Sequence, residues 1–262
     1  MNSYLWLDVR DASRHPDVNQ IRLIYNAPDG ATINYVIDDG KPTTARLPAS
    51  TTPQSLAMRS GTPLSTLKLS VASGKLVLLG VVLDRPVEPE VTLDVFGVPS
   101  ATVKGWANAN PAAIAQSLRG TTYDAVVLEY GTNEGADADF DVGRYARTLN
   151  DALTHVRQVF PTASCVLIGP PDRGVLKTPK GTLPPLLSYA NTHRTIENTQ
   201  KDIGARHGCV VWSWQGLMGG PGGSYGWANA QPSLMGRDLI HLSPHGYRLT
   251  GRALGHSLGW VP

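Results

Sequence analysis

Residues 123–134 read Tyr-Asp-Ala-Val-Val-Leu-Glu-Tyr-Gly-Thr-Asn-Glu. Their centre, Ala125–Leu128, is a continuous apolar run, the pattern of a strand buried on both faces of a sheet. Such a strand sits inside a parallel sheet covered by helices, and the residues that follow supply both. Asp141–Phe160 carries Val142, Tyr145, Leu149, Ala152, Leu153, Val156 and Val159 at three- and four-residue spacing, which predicts an amphipathic helix. Cys165–Ile168 predicts a second buried strand, Pro184–Arg206 a long helix ended by Gly208, Val210–Trp212 a third strand and Pro244–Leu258 a last helix. A short helix with proline in its first turn is expected at Pro111–Leu118. Strands alternating with helices make a doubly wound, parallel α/β sheet.

Upstream of Gly97 the texture changes. Short apolar or alternating runs, Tyr4–Val9, Ile21–Tyr25, Thr32–Ile37, Leu67–Val71, Lys75–Leu83 and Val91–Phe96, are separated by turn residues such as Asp29-Gly30, Asp39-Gly40-Lys41-Pro42 and Ser73-Gly74. That punctuation predicts an antiparallel β-sandwich or jelly roll. The expected division is therefore residues 1–96, β-rich, and residues 97–262, α/β.

Composition narrows the functional classes. The chain has 262 residues, 41% hydrophobic and 17% charged, which marks a globular protein. Its net charge of +2 leaves no nucleic-acid footprint, and no apolar run approaches the roughly 18 residues that cross a bilayer. Glycine (27) and proline (20) together make about 18% of the chain, against an average near 12%, so tight turns are many. Two cysteines make neither a disulfide scaffold nor a four-ligand zinc site.

Ligands of open α/β sheets bind beyond the carboxyl ends of the strands, so the loop after Ala125–Leu128 is the first place to look. There Gly131 lets the backbone approach a ligand, and the Asn133 amide can donate to an oxyanion; the same Gly-Thr-Asn can equally be a plain chain reversal. Late in the chain, Arg237-Asp238-Leu239-Ile240-His241-Leu242-Ser243-Pro244 sets a carboxylate and an imidazole three residues apart. A carboxylate so placed can hold one ring nitrogen and leave the other as a general base, though an exposed Asp/His pair at a helix start is the plainer alternative. Ser243 is expected to cap the helix that Pro244 opens. His241 and His245 have metal-pair spacing but no third ligand accompanies them, so no metal is expected. Gly97-Val98-Pro99-Ser100-Ala101-Thr102 joins the two halves and reads either as a linker or as a third site segment.

Taken together, Gly97–Thr102, Gly131-Thr132-Asn133-Glu134 and Asp238-Leu239-Ile240-His241 resemble, in order and spacing, the second, third and final blocks of the SGNH (GDSL-type) hydrolase superfamily. Tyr123–Leu128 leading into Gly131–Glu134, and Leu217-Met218-Gly219-Gly220 followed by Trp227, are similar to its peptidoglycan O-acetylesterase branch, which carries a carbohydrate-binding-module-like β-sandwich between its first and second blocks. The resemblance implies a flavodoxin-like, doubly wound α/β domain at 97–262 and a serine esterase acting on O-acetyl esters of a polysaccharide such as peptidoglycan, in the periplasm or cell envelope and without cofactor. It implies His241 as general base, Asp238 as its orienting partner, and oxyanion donors from Asn133 and the Ser100 backbone N–H, at a position where the family usually has glycine. Gly131 and Glu134 are implied to contact substrate or support the site, Glu134 without transferring protons. The same residues would serve an O-acetyltransferase, or, without a nucleophile, a catalytically inactive glycan-binding protein.

The family's first block, Gly-Asp-Ser, is absent from residues 1–262. Ser3 is a poor substitute, lacking a strand before it and a helix after it. An α/β sheet without that block lacks its first βα unit, so the serine is expected on an upstream segment or a separate chain acting as partner, the alternative being a truncated gene. Among smaller signals, Cys165 and Cys209 fall in neighbouring strands; two buried thiols are favoured over a disulfide. Trp212 and Trp214 suit either a sugar-binding groove or the core. Leu217–Gly226, with five glycines, reads as a mobile loop or lid, and Pro170–Pro185 as a polar connection near Asn133.

Overall fold

The computed structural model describes residues 4–10, 17–85, 91–118, 121–175 and 187–260. It divides into two compact units, Met1–Phe96 with Ala112–Gly120, and Gly97–Pro111 with Thr121–Pro262. The short helix α2 (Pro111–Ser117), which by sequence follows the start of the α/β half, thus groups mainly with the first unit.

The first unit is built on seven strands: β1 (Tyr4–Asp8), β2 (Gln20–Ala27), β3 (Ala31–Ile37), β4 (Thr43–Leu47), β5 (Ser50–Arg59), β6 (Thr66–Gly74) and β7 (Val77–Asp84). They form two antiparallel sheets, ordered β1-β6-β3-β4 and β5-β2-β7. Period-two alternation drives this arrangement: along β2, Ile21, Leu23, Tyr25 and Ala27 are buried while the residues between them are not. Those four join Ile33, Leu47, Met58, Leu67 and Leu69 in one hydrophobic cluster fed by both sheets. Strand β5 escaped the sequence reading because it is mostly polar and carries Pro53. Both are tolerated because β5 is an edge strand. The strand expected at Val91–Phe96 does not form. Val91, Leu93 and Val95 are 83%, 80% and 78% exposed, and no strand among the described residues pairs with them. Alternation selects a strand only when a ladder partner is present.

The second unit contains a three-stranded parallel sheet, β8 (Ala125–Glu129), β9 (Ser164–Ile168) and β10 (Cys209–Trp212), in the order β10-β9-β8. This makes the unit an α/β fold, as the sequence implies. Helix α1 (Lys104–Ala107) and the long α3 (Val142–Val159) and α4 (Ser188–Arg206) pack together, and α5 (Trp214–Leu217), α6 (Gly223–Asn229) and α7 (Pro244–Ser257) follow. Asp141 caps α3, its side chain accepting from Arg144 N at 2.6 Å. The start of α4 expected at Pro184 lies outside the described residues. Successive strand residues meet different helices: Leu167 reaches Gly204 of α4, whereas Ile168, Val127 and Trp212 cluster with Trp214, Met218 and Leu254. Alternate side chains thus use helices on opposite faces, which is why the strands read as continuous apolar runs. Trp214 is buried and donates to Thr250, so Trp212 and Trp214 serve packing.

Cys165 and Cys209 are joined by a disulfide, correcting the expectation of two thiols. The parallel register sets them directly opposite each other on β9 and β10, with Cα atoms 4.5 Å apart. The bond closes a loop with a sequence separation of 44, for which chain entropy predicts roughly 4 kcal/mol and measured cases give about 2–4. We therefore expect the denatured, unreduced protein to show no free thiol and the reduced protein two. The double replacement Cys165→Ser/Cys209→Ser should lower the unfolding midpoint by several degrees.

Candidate active site

All three strands of the parallel sheet deliver their carboxyl ends to the same edge, so the chain segments starting at Gly131, Gly169 and Ser213 gather there. The site residues fall into two groups held by a buried strip between them.

The first group brings together Ser100, Gly131, Asn133 and Glu134. Ala101 N donates to Val98 O at 3.1 Å, closing a turn in which Ser100 takes φ +58°. That left-handed backbone suits glycine and strains other residues, so serine here adopts the conformation glycine would adopt freely. The Ser100 N–H meets no acceptor among the described residues. Gly131 has φ +124°, and a Cβ there would lie 2.9 Å from Pro170 and from Ile196, so only glycine fits. Glu134 accepts from Val103 N through Oε1 at 2.7 Å and from Gly131 N through Oε2 at 3.0 Å. One carboxylate thus ties the Ser100 turn to the Gly131 turn. Burial pushes its pKa up, and the two backbone donors oppose that shift. Asn133 adds a second tie, its Nδ2 donating to Ala101 O at 2.8 Å. An amide nitrogen has two hydrogens, so one remains for another acceptor.

The second group is Asp238 and His241. Leu234–Ser243 folds back on itself: Met235 bridges Leu242, Gly236 N donates to His241 O at 2.7 Å and Ser243 N to Leu234 O at 3.0 Å. At the tip, Asp238 Oδ1 accepts from Ile240 N and His241 N, both at 3.0 Å, while Oδ2 lies 2.6 Å from His241 Nδ1. The hydrogen bond to His241, helped by the backbone donors, holds the Asp238 pKa down at about 2, so the group is a carboxylate at any neutral pH. Nδ1 carries the proton in this bond, which leaves Nε2 as the basic nitrogen, and the ring is largely exposed. Ser243 caps α7, accepting from Gly246 N at 3.2 Å, and Pro244 is its first residue. Between the two partners Leu239 has φ +57° and buries its side chain against Gly174.

That contact belongs to the strip Gly169–Val175, which leaves β9. Its buried start corrects the reading of 170–185 as a polar connection; residues 176–185 lie outside the described residues. Pro170 packs on Gly131, the Pro171 carbonyl lies 2.7 Å from His193 Nδ1, and Gly174 both backs Leu239 and donates to its carbonyl at 3.0 Å. Pro170 and Gly174 are four residues apart, a reach of at most about 14 Å, and this bounds the separation of the two groups. Asp172, fully buried, accepts from Gln215 Nε2 at 2.9 Å and from the backbone N–H groups of Gly222 and Ser224 at 3.1 and 2.9 Å. The glycine-rich segment read as a mobile lid is thereby fixed at its far end, and α6 begins within it at Gly223. Sequence reasoning missed Asp172 and His193. His193, Glu197 and Gln200 lie at i, i+4 and i+7, on the buried stripe of α4; polar residues on an apolar stripe were the available signal. Burial holds the His193 pKa down, leaving a neutral ring packed against Gly135.

Removing the Glu134 carboxylate should leave two backbone donors unpaired. We expect Glu134→Ala to cost roughly 1–3 kcal/mol in urea unfolding, and the exposed Asn133→Ala far less. Equal midpoints for the two variants would show that the brace carries no stability.

Residues 76–249 match the family described as GDSL-like lipase/acylhydrolase. No curated protein matches the chain. Among solved structures, a peptidoglycan O-acetylesterase aligns over 99% of this chain and 76% of its own, with 19% identity and a TM-score of 0.60. That likeness is one of fold. Two carbohydrate esterases of family 2 also align. One, from Corynascus thermopiles (Myceliophthora fergusii) and carrying a carbohydrate-binding domain, is 14% identical over 98% of this chain and 100% of its own, with a TM-score of 0.34. The other, from Clostridium thermocellum, is 14% identical over 99% and 92%, with a TM-score of 0.36. Scores that low carry no weight here. The family match covers about two thirds of the chain and includes both the Gly131–Glu134 turn and the Asp238–His241 pair, and with the α/β fold around them this chain belongs to the GDSL-like lipase/acylhydrolase family.

Proposed function

We propose that this protein is a serine-type esterase that removes O-acetyl groups from a glycan, with peptidoglycan as the favoured substrate. The observation that carries the reading is the 2.6 Å bond between His241 Nδ1 and an Asp238 held as carboxylate, in a chain of the acylhydrolase family. A serine hydroxyl attacks the acetyl carbonyl while His241 Nε2 takes the hydroxyl proton. Charge developing on the carbonyl oxygen is met by the spare N–H of Asn133 and the backbone N–H of Ser100. The tetrahedral adduct collapses, the ester C–O bond breaks, and His241 returns the proton to the departing sugar oxygen. Water, activated by the same nitrogen, then releases acetate from the acyl-serine. Gly131 and Glu134 keep the oxyanion turns in register.

The nucleophile is proposed to come from outside residues 1–262, from a segment ahead of Met1 or from a separate chain, because no Gly-Asp-Ser occurs here. Ser3, the weak alternative, lies outside the described residues. Residues 1–96 are proposed to form a β-sandwich module of the carbohydrate-binding type beside a hydrolase domain at 97–262. The periplasm or envelope is the proposed location. One observation supports it: the cysteines are paired, as an oxidising compartment allows. The absent serine block also favours a second reading, a glycan-binding protein without turnover.

The test is acetate release from O-acetylated peptidoglycan and from 4-nitrophenyl acetate, with the chain supplied with its serine-bearing segment. His241→Ala should lower kcat by several orders of magnitude, and Asp238→Asn by about 10³–10⁴. Residues 1–262 alone should show only residual hydrolysis. Full activity of His241→Ala would reject the reading, and glycan binding without any turnover would establish the second.

A further inference from the structure

We propose that the outer face of the β1-β6-β3-β4 sheet is a glycan-binding platform, with Tyr4 and Trp6 as its stacking rings and an extended β-linked oligosaccharide as its ligand. On β1 the residues alternate: Leu5 and Leu7 pack into the core, while Tyr4 and Trp6 face out, 82% and 57% exposed. The register sets them at the head of two transverse rows. Trp6 stands opposite Lys68, which stands opposite Val36. Tyr4 stands opposite Ser70, which stands opposite Asn34, which stands opposite Thr44. Backbones of neighbours in a row are about 4.8 Å apart, and the Tyr4 and Trp6 backbones about 6.8 Å apart along the strand. The rows border a depression of about 370 Å³.

Scattered exposed aromatics carry no message; an ordered pair over a depression does. A pyranose ring offers apolar C–H faces and a rim of hydroxyls. Two rings in file suit successive sugars of an extended chain, and the next strands offer what the rim needs. Thr44 Oγ1 donates to Asn34 Oδ1 at 2.7 Å, and among the described residues Asn34 Nδ2 has no acceptor. The Ser70 hydroxyl and Lys68 ammonium complete a hydrogen-bonding strip beside the rings. Val36 is the one aliphatic residue in the two rows, whereas a protein-binding face would carry several there and exclude lysine from its centre. The small net charge of +2 argues against nucleic acid as occupant. The platform belongs to the first unit and rests on the reading of residues 1–96 as a carbohydrate-binding module, not on the esterase reading.

The test is calorimetric titration of the full chain with chitohexaose and with cellohexaose. At least one should bind. Trp6→Ala and Tyr4→Ala should each weaken it tenfold or more without moving the unfolding midpoint, Trp6→Phe should weaken it less than threefold, and Lys68→Ala should have an intermediate effect. No heat from either hexaose at millimolar concentration overturns the proposal. So does binding that Trp6→Ala leaves unchanged, or a dimer abolished by Trp6→Ala in a chain that binds neither sugar.

Discussion

The α/β unit depends on one buried strip, Gly169–Val175, and above all on the carboxylate of Asp172 within it. A carboxylate without water must be matched by hydrogen-bond donors, because an unmatched buried charge costs several kcal/mol. Here the donors are Gln215 and the backbone of Gly222 and Ser224. Satisfying Asp172 therefore dictates the path of a glycine-rich segment that by itself has many paths open to it. Pro170 and Gly174, on either side, press on Gly131 and Leu239. One stretch of backbone thus carries the constraint from the asparagine turn to the aspartate–histidine turn.

The two turns are held by complementary means. Around Glu134 a half-buried carboxylate collects two backbone N–H groups from segments 31 and 3 residues away in sequence. Around Asp238 the carboxylate collects its own next neighbours and then the imidazole. The first is a long-range tie that sets the spacing of two loops. The second is a local turn that aims one ring. Both accept strain: Ser100 and Leu239 are non-glycine residues at positive φ. Such residues cost of order 1–3 kcal/mol each and persist where surrounding contacts hold them. For Leu239 that contact is its buried side chain against Gly174.

Two carboxylates in one unit behave oppositely, and environment explains it. The His241 imidazole and the backbone N–H groups of Ile240 and His241 lower Asp238, whereas burial raises Glu134 against the pull of its backbone donors. An acid that stays charged beside a histidine suits orientation of a base; a carboxylate whose two oxygens each accept from a backbone N–H suits bracing.

By itself the sequence determined the strands and long helices of the α/β unit, because periodicity is local. Ala125–Leu128 and Cys165–Ile168 announced buried strands by their unbroken apolar runs, and Asp141–Phe160 announced a helix by its spacing. The Asp238–His241 pair was legible for the same reason, since three residues of chain decide that contact. The tertiary structure alone decided the rest. Cys165 met Cys209 because the parallel register set them opposite. Val91–Phe96, alternating as a strand should, stayed outside any ladder because a strand needs a neighbour. Asp172, Glu134 and His193 drew their roles from partners 22 to 52 residues away. No local pattern encodes those partners, because only packing brings a buried polar group and its hydrogen-bond partners together.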